Sequence, residues 1–90
     1  MMRNYKDPLY KDWRKKIYAR DKFTCQWPGC KKNKSLQAHH IYKWSDFPGL
    51  RYHPDNGITL CREHHKQITS NEEAYVNFFN KLIMEKKNET

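Results

Sequence analysis

Apolar positions recur along the chain at two different periods. Tyr10, Trp13 and Ile17 fall three, four and seven residues apart, on one face of a helix, while Lys11, Arg14, Lys15, Lys16 and Arg20 crowd the remaining surface. This spacing predicts an amphipathic helix over Tyr10–Asp21, with a basic outer face. Pro8 disfavours an earlier start, so Met1–Leu9, with Arg3 and Lys6, reads as a polar arm. Leu36–Ile41 reads as a strand. Ile58–Leu60 reads as a second, entered through the turn signal Asp55-Asn56-Gly57. The two should pair antiparallel across the connection Tyr42–Asp55. A loop this long in a small domain is either functional or packed on itself, and this one carries Trp44, Phe47, Pro48, Leu50, Tyr52 and Pro54. A helix follows from Cys61 to about Thr69. Ser70 and Glu73 then fit the capping box of a last helix reaching about Lys87. Its rows Ala74–Phe78–Leu82 and Tyr75–Phe79–Ile83 should dock on the core. The expected fold is α+β: one domain over residues 1–90, with its core at about 13–69 and the C-terminal helix at about 71–87.

Composition adds two constraints. Hydrophobic residues make up 37% of the chain and the mean hydropathy is −1.19, so the core is thin and a staple such as a metal is expected. The net charge of +8, spread from end to end, points to a polyanionic partner, with nucleic acid first. No stretch has the apolar length of a membrane span, and the N-terminal stretch lacks the apolar run of a signal peptide. Three cysteines do not close a disulfide framework. A reducing, intracellular setting is therefore expected, with the cysteines as metal ligands.

Cys25 and Cys30 flank a Pro28-Gly29 turn, which brings two thiolates together as half of a tetrahedral zinc site. Cys61 supplies a third ligand, and a fourth must come from His64 or His65. On a helix these sit about 60° to one side of Cys61 and about 40° to the other, so geometry alone allows either. The spacing Cys61-x-x-His64 is the commoner knuckle and assigns Cys25, Cys30, Cys61 and His64 to structural zinc. That leaves His39, His40, Asn56 and His65, which a strand–loop–strand–helix path brings near one place. Neighbouring residues of a strand face opposite ways, so of His39 and His40 one can ligate a cation and the other can face a substrate. Histidine titrates near neutrality and suits the activation of water.

The ordered elements Ala38-His39-His40-Ile41, then Asp55-Asn56-Gly57-Ile58-Thr59-Leu60-Cys61, then His64-His65 resemble the HNH endonucleases of the ββα-metal (His-Me finger) fold. Upstream, Trp13 to Gln26 resembles the helix and first zinc knuckle that precede this motif in small phage-type members. The resemblance implies hydrolysis of DNA phosphodiester bonds with one divalent cation (Mg²⁺, Mn²⁺, Ni²⁺ or Zn²⁺). It implies that His39 and His65 ligate that cation, that His40 is the general base, and that Asn56 orients the hairpin or the base. The chain departs from the family pattern twice. His64 stands where a second Cys is usual, and Thr69 stands where some members carry a further His.

Lys43 and Arg51 are the first candidates for phosphate contact, with Arg62 and Lys66 on the helix and Lys31, Lys32 and Lys34 beside the knuckle. His53 reads as a loop residue. A monomer with one site should nick one strand; two copies, as in a weak dimer, would cut both. Phage or packaging proteins are further candidate partners, and the host cytoplasm the expected setting if the chain is phage-encoded. Two rival readings remain: a non-catalytic zinc-stapled DNA-binding module of the same fold, and a protein-interaction module using the helix around Tyr75–Ile83.

Overall fold

The computed structural model describes residues 7–43 and 47–88, with the side chains of the last two of these residues left aside. Arg3, Lys6 and Trp44 of the expectations above lie outside them. The element order is α1 (Pro8–Arg20), β1 (Leu36–His39), a 3-10 turn (Pro48–Leu50), β2 (Ile58–Cys61), α2 (Arg62–Ile68), a second 3-10 turn (Glu72–Tyr75) and α3 (Val76–Asn88). β1 and β2 form an antiparallel pair, with Leu36 opposite Cys61 and His39 opposite Ile58. This is the expected small α+β arrangement, consistent with a ββα core. No helix of the described residues is long and apolar enough to cross a membrane.

Helix α1 begins earlier than expected. Pro8 starts it instead of delaying it, because the first turn needs no N–H from that position. Asp7 caps the end by accepting from the Leu9 N–H at 2.9 Å. The buried face is Tyr10, Trp13 and Ile17, as the spacing predicts. The helix stops where Lys22 and Phe23 turn into the left-handed region (φ 55° and 54°).

The sheet has two residues per strand on each face and is too small to stand alone. It is covered on both sides. One cluster is Tyr10, Trp13 and Ile17 with Ala38 of β1. The other joins Cys25, Ile41, Ile58, Leu60, Cys61, Ile68, Phe79 and Ile83. All four residues of β2 are buried as a result.

Asp21 ties these layers together. Its carboxylate is buried and accepts from the Thr59 N–H of β2 at 2.9 Å and from Arg20 through two nitrogens at 2.9 and 2.8 Å. The Lys86 ammonium of α3 stands 3.7 Å away and donates to Gln26 Oε1. Arg20 also donates to the carbonyls of Pro54 and Gly57. Arg20 is therefore a half-buried strap across the loop, not part of the free basic face expected of it.

The capping box at Ser70 does not form. Ser70 is left-handed (φ 73°), which an N-cap is not. The chain instead enters α3 through the 3-10 turn after Asn71. Glu72, not Glu73, folds back: hydrogen bonds from its own N–H and that of Ser70 hold its carboxyl below the usual range against the opposing effect of burial. Of the two apolar rows, Tyr75–Phe79–Ile83 faces the core, with Phe78 and Leu82 beside it, whereas Ala74 is exposed.

Replacing this buried carboxylate by an amide removes the charge that answers Arg20 and turns one of its two acceptor oxygens into a donor facing other donors, at a cost of about 3 kcal/mol. Asp21→Asn should lower the urea midpoint accordingly. A midpoint equal to the wild type's would remove Asp21 as the tie between layers.

Candidate metal centre and active site

The knuckle residues converge. Cys25 leaves α1's terminal turn, and Cys30 follows the Pro28-Gly29 turn, in which Gly29 takes φ 83°. Cys61 ends β2, and His64 lies in the first turn of α2. The Cys25 N–H donates to the Lys32 carbonyl, and the Gln26 N–H to the Thr59 carbonyl, so the loop is pinned at both ends. One ligand atom from each of the four residues lies within 4.8 Å of all the others. His64 Nδ1 is 3.2 Å from Cys61 Sγ and 3.6 Å from Cys25 Sγ. Trp27 stacks on the His64 ring at 4.7 Å and 6°. Of the adjacent histidines, it is His64 that turns to the thiols, while the His65 ring meets His39.

The three cysteines are free thiols. Burial pushes the Cys25 thiol up to about 11. Burial acts the same way on Cys61, but hydrogen bonds from the His64 N–H and from the neighbouring thiols outweigh it and lower that thiol. Three close sulfurs of unequal acidity beside an imidazole form a donor set that could hold a borderline-soft cation such as zinc.

His39 and His40 divide as strand alternation requires. His39 faces the helical layer: its ring lies 5.6 Å from that of His65, at 70°, and 5.5 Å from that of Phe79. His40 faces α1 and stacks on Trp13 at 3.9 Å and 10°. His40 Nε2 lies 2.9 Å from the Arg51 carbonyl. A carbonyl only accepts, so the neutral ring carries its proton on Nε2 and a lone pair on Nδ1.

Asn56 is buried and bonded to backbone alone. Its Oδ1 accepts from the Tyr42 N–H at 2.7 Å, and its Nδ2 donates to the carbonyls of Leu50 (2.9 Å) and Tyr42 (3.3 Å). It closes the long loop between β1 and β2. Of its two expected tasks, this geometry performs the orientation of the hairpin. Its link to His40 runs through the loop, since Leu50 precedes the residue whose carbonyl meets that ring.

The basic candidates do not form one patch. Lys43 stands 3.4 Å from the Glu73 carboxylate. Arg51 ends the first 3-10 turn and contributes its carbonyl to His40. Arg62 and Lys66 are exposed on α2, and Arg62 borders a depression lined also by Lys32, Lys34 and Ser35. Lys31 and Lys32 line a second hollow beside Trp27 and His64, with Lys32 paired to Glu63. His53 is the loop residue expected: its carbonyl accepts from Trp13 Nε1 and its ring from the Asp55 N–H. Thr69 bonds back to the His65 carbonyl.

Three residues of the site environment carried no readable signal of the contacts they make there. Trp13 was legible as core but not as the neighbour of His40. Arg20 and Asp21 look like surface charges at a helix end. Only the deep burial of both elements around them reveals their role.

Residues 24–71, just over half of the chain, match the family model for HNH endonuclease. No curated protein and no solved structure matches the chain. The matched span holds every member of the two histidine and cysteine groups described above, and the chain belongs to the HNH endonuclease family.

Proposed function

We propose that the protein is a metal-dependent endonuclease that hydrolyses DNA phosphodiester bonds, stabilised by a structural zinc ion. The observation that carries this reading is the meeting of two imidazoles from separate elements: His39 at the end of β1 faces His65 of α2, while His40 beside it is held by the Arg51 carbonyl. Strand alternation divides any such pair; what points to a cation site is the second imidazole that α2 brings to His39.

In this reading His39 and His65 hold the divalent ion, leaving positions for water and a phosphate oxygen. Thr69 provides no imidazole, so the protein gives two ligands. A divalent cation bound there would neutralise charge developing on the phosphate and the leaving oxygen. His40 takes the proton of the attacking water at Nδ1, with its ring oriented from the far side by the Arg51 carbonyl. His40 is 4% exposed and its Nδ1 is buried, so the side chains around it must part to admit that water. Asn56 acts as a positioning residue by closing the loop that holds that carbonyl. Lys43, Arg51, Arg62 and Lys66 contact backbone phosphates, and the affinity for DNA falls with salt. A single site in a monomer nicks.

The cleavage reading is tested on supercoiled plasmid with Mg²⁺, Mn²⁺, Ni²⁺ or EDTA. Wild type should give nicked circles in at least one metal and none in EDTA. His40→Ala should lose cleavage by about a hundredfold or more while binding DNA and metal as before. DNA binding without cleavage in any metal would favour the non-catalytic module. Wild-type-like cleavage by His40→Ala would remove it as the base.

The zinc reading makes two predictions. Cys25→Ser, or removal of the metal by a strong chelator, should unfold the domain at 37 °C, read by circular dichroism; an unchanged melt after proven metal loss would defeat it. Zinc must also displace the proton that Cys25 holds up to about pH 11. Its apparent affinity should therefore rise about tenfold per pH unit for each thiol proton displaced. Competition with a chromophoric chelator between pH 6.5 and 8.5 measures this, and a pH-independent affinity would contradict it.

A further inference from the structure

We infer that Trp13 is a positioning residue for His40, so that α1, which lies outside the matched span, is part of the active site. The inference rests on the reading of His40 as the base. The hydrogen bond from Nε2 to the Arg51 carbonyl fixes one edge of the imidazole. Trp13 fixes its plane, lying nearly parallel to the imidazole, 3.9 Å between centroids and 10° between planes, with the Tyr10 ring farther off at 6.3 Å.

The indole is itself held on its other sides. Its Nε1 donates to the His53 carbonyl at 3.1 Å. Behind it, a Cβ on Gly57 would come within 2.6 Å of Trp13 Cζ2, so the backbone of Gly57 closes directly on the ring. The same Cβ would come within 2.7 Å of Ile17 Cδ1, so Gly57 serves more than the turn after Asn56: any larger residue would displace the indole, Ile17 or both. The two stacked rings donate to carbonyls two residues apart in the same loop, Arg51 and His53. Helix, base and loop therefore move as one unit. Misplacing a reacting group by about 1 Å can cost a hundredfold in rate, which sets the expected size of the effect.

The test compares Trp13→Phe, which keeps a flat ring against His40 but lacks the N–H, with Trp13→Leu, which keeps apolar bulk and loses the plane. Each full-length protein is assayed on plasmid below its own melting temperature, with Kd for DNA measured in EDTA. The ring signals of His40 are recorded in ¹⁵N-histidine-labelled samples. Trp13→Phe should keep kcat within about threefold. Trp13→Leu should lose 10- to 100-fold in kcat, with KM and Kd within about twofold, and its His40 signals should average between ring states. A folded Trp13→Leu protein that cleaves like wild type overturns the inference, as do losses in both variants that merely follow the fraction unfolded. If Trp13→Leu does not fold, the wild-type spectra decide. One Nε2–H form with the upfield ring protons of a stack supports the inference, and averaged rings overturn it. His40→Ala run alongside separates the two readings. If it cleaves normally the base assignment falls, while the ring spectra still report whether Trp13 holds the imidazole.

Discussion

A two-stranded ladder of four residues per strand has too few hydrogen bonds and too little apolar area to survive in water. Everything else in this protein follows from burying it on both faces. Tyr10, Trp13 and Ile17 close one side and Ile68, Phe79 and Ile83 the other. The layers meet at Asp21, whose carboxylate takes the Thr59 N–H of the buried strand and is neutralised by Arg20, with Lys86 close by. A buried carboxylate is tolerable only with such partners. It therefore works as a registration device: α1, β2 and α3 can satisfy it only in one relative placement.

That scaffold gives two histidine pairs opposite duties. A strand presents successive side chains to opposite faces, which sends His39 towards His65 and His40 towards Trp13. The start of α2 does the same for the second pair. Cys61 leads straight into the helix, so His64 falls beside its sulfur while His65 rotates onto the next face. Adjacent histidines are thus sent to different surroundings at each place, through the backbone periods of strand and helix.

The described residues of the connection between the strands are tied down by side chains. Asn56 bonds to its near and far limbs, Arg20 to the carbonyls of Pro54 and Gly57, and Trp13 and His40 to those of His53 and Arg51. A loop whose carbonyls are answered by side chains of the core can hold a ring such as His40 as firmly as a strand can.

Much was legible in the sequence because its causes are local. Helical spacing named the buried face of α1, the Pro-Gly turn between cysteines named the first knuckle, and His-His, Asn and His-His in order named the family. The boundaries that went astray were local choices overridden by context: Pro8 suits a first turn, and the left-handed Ser70 diverts the chain before α3. Charge roles were the least legible. Arg20 and Asp21 look like any charged pair at a helix end, and nothing in residue type tells that β2 will be buried against them. Likewise, Trp13 was readable as core but not as the plane behind His40, since that contact joins residues twenty-seven positions apart. The sequence by itself determined which residue types could ligate, activate and fold, because periodicity and side-chain chemistry are properties of short segments. The tertiary structure alone decided which histidine turns to the thiols, which carbonyl holds the base and which charges are buried, because those depend on how separate segments pack.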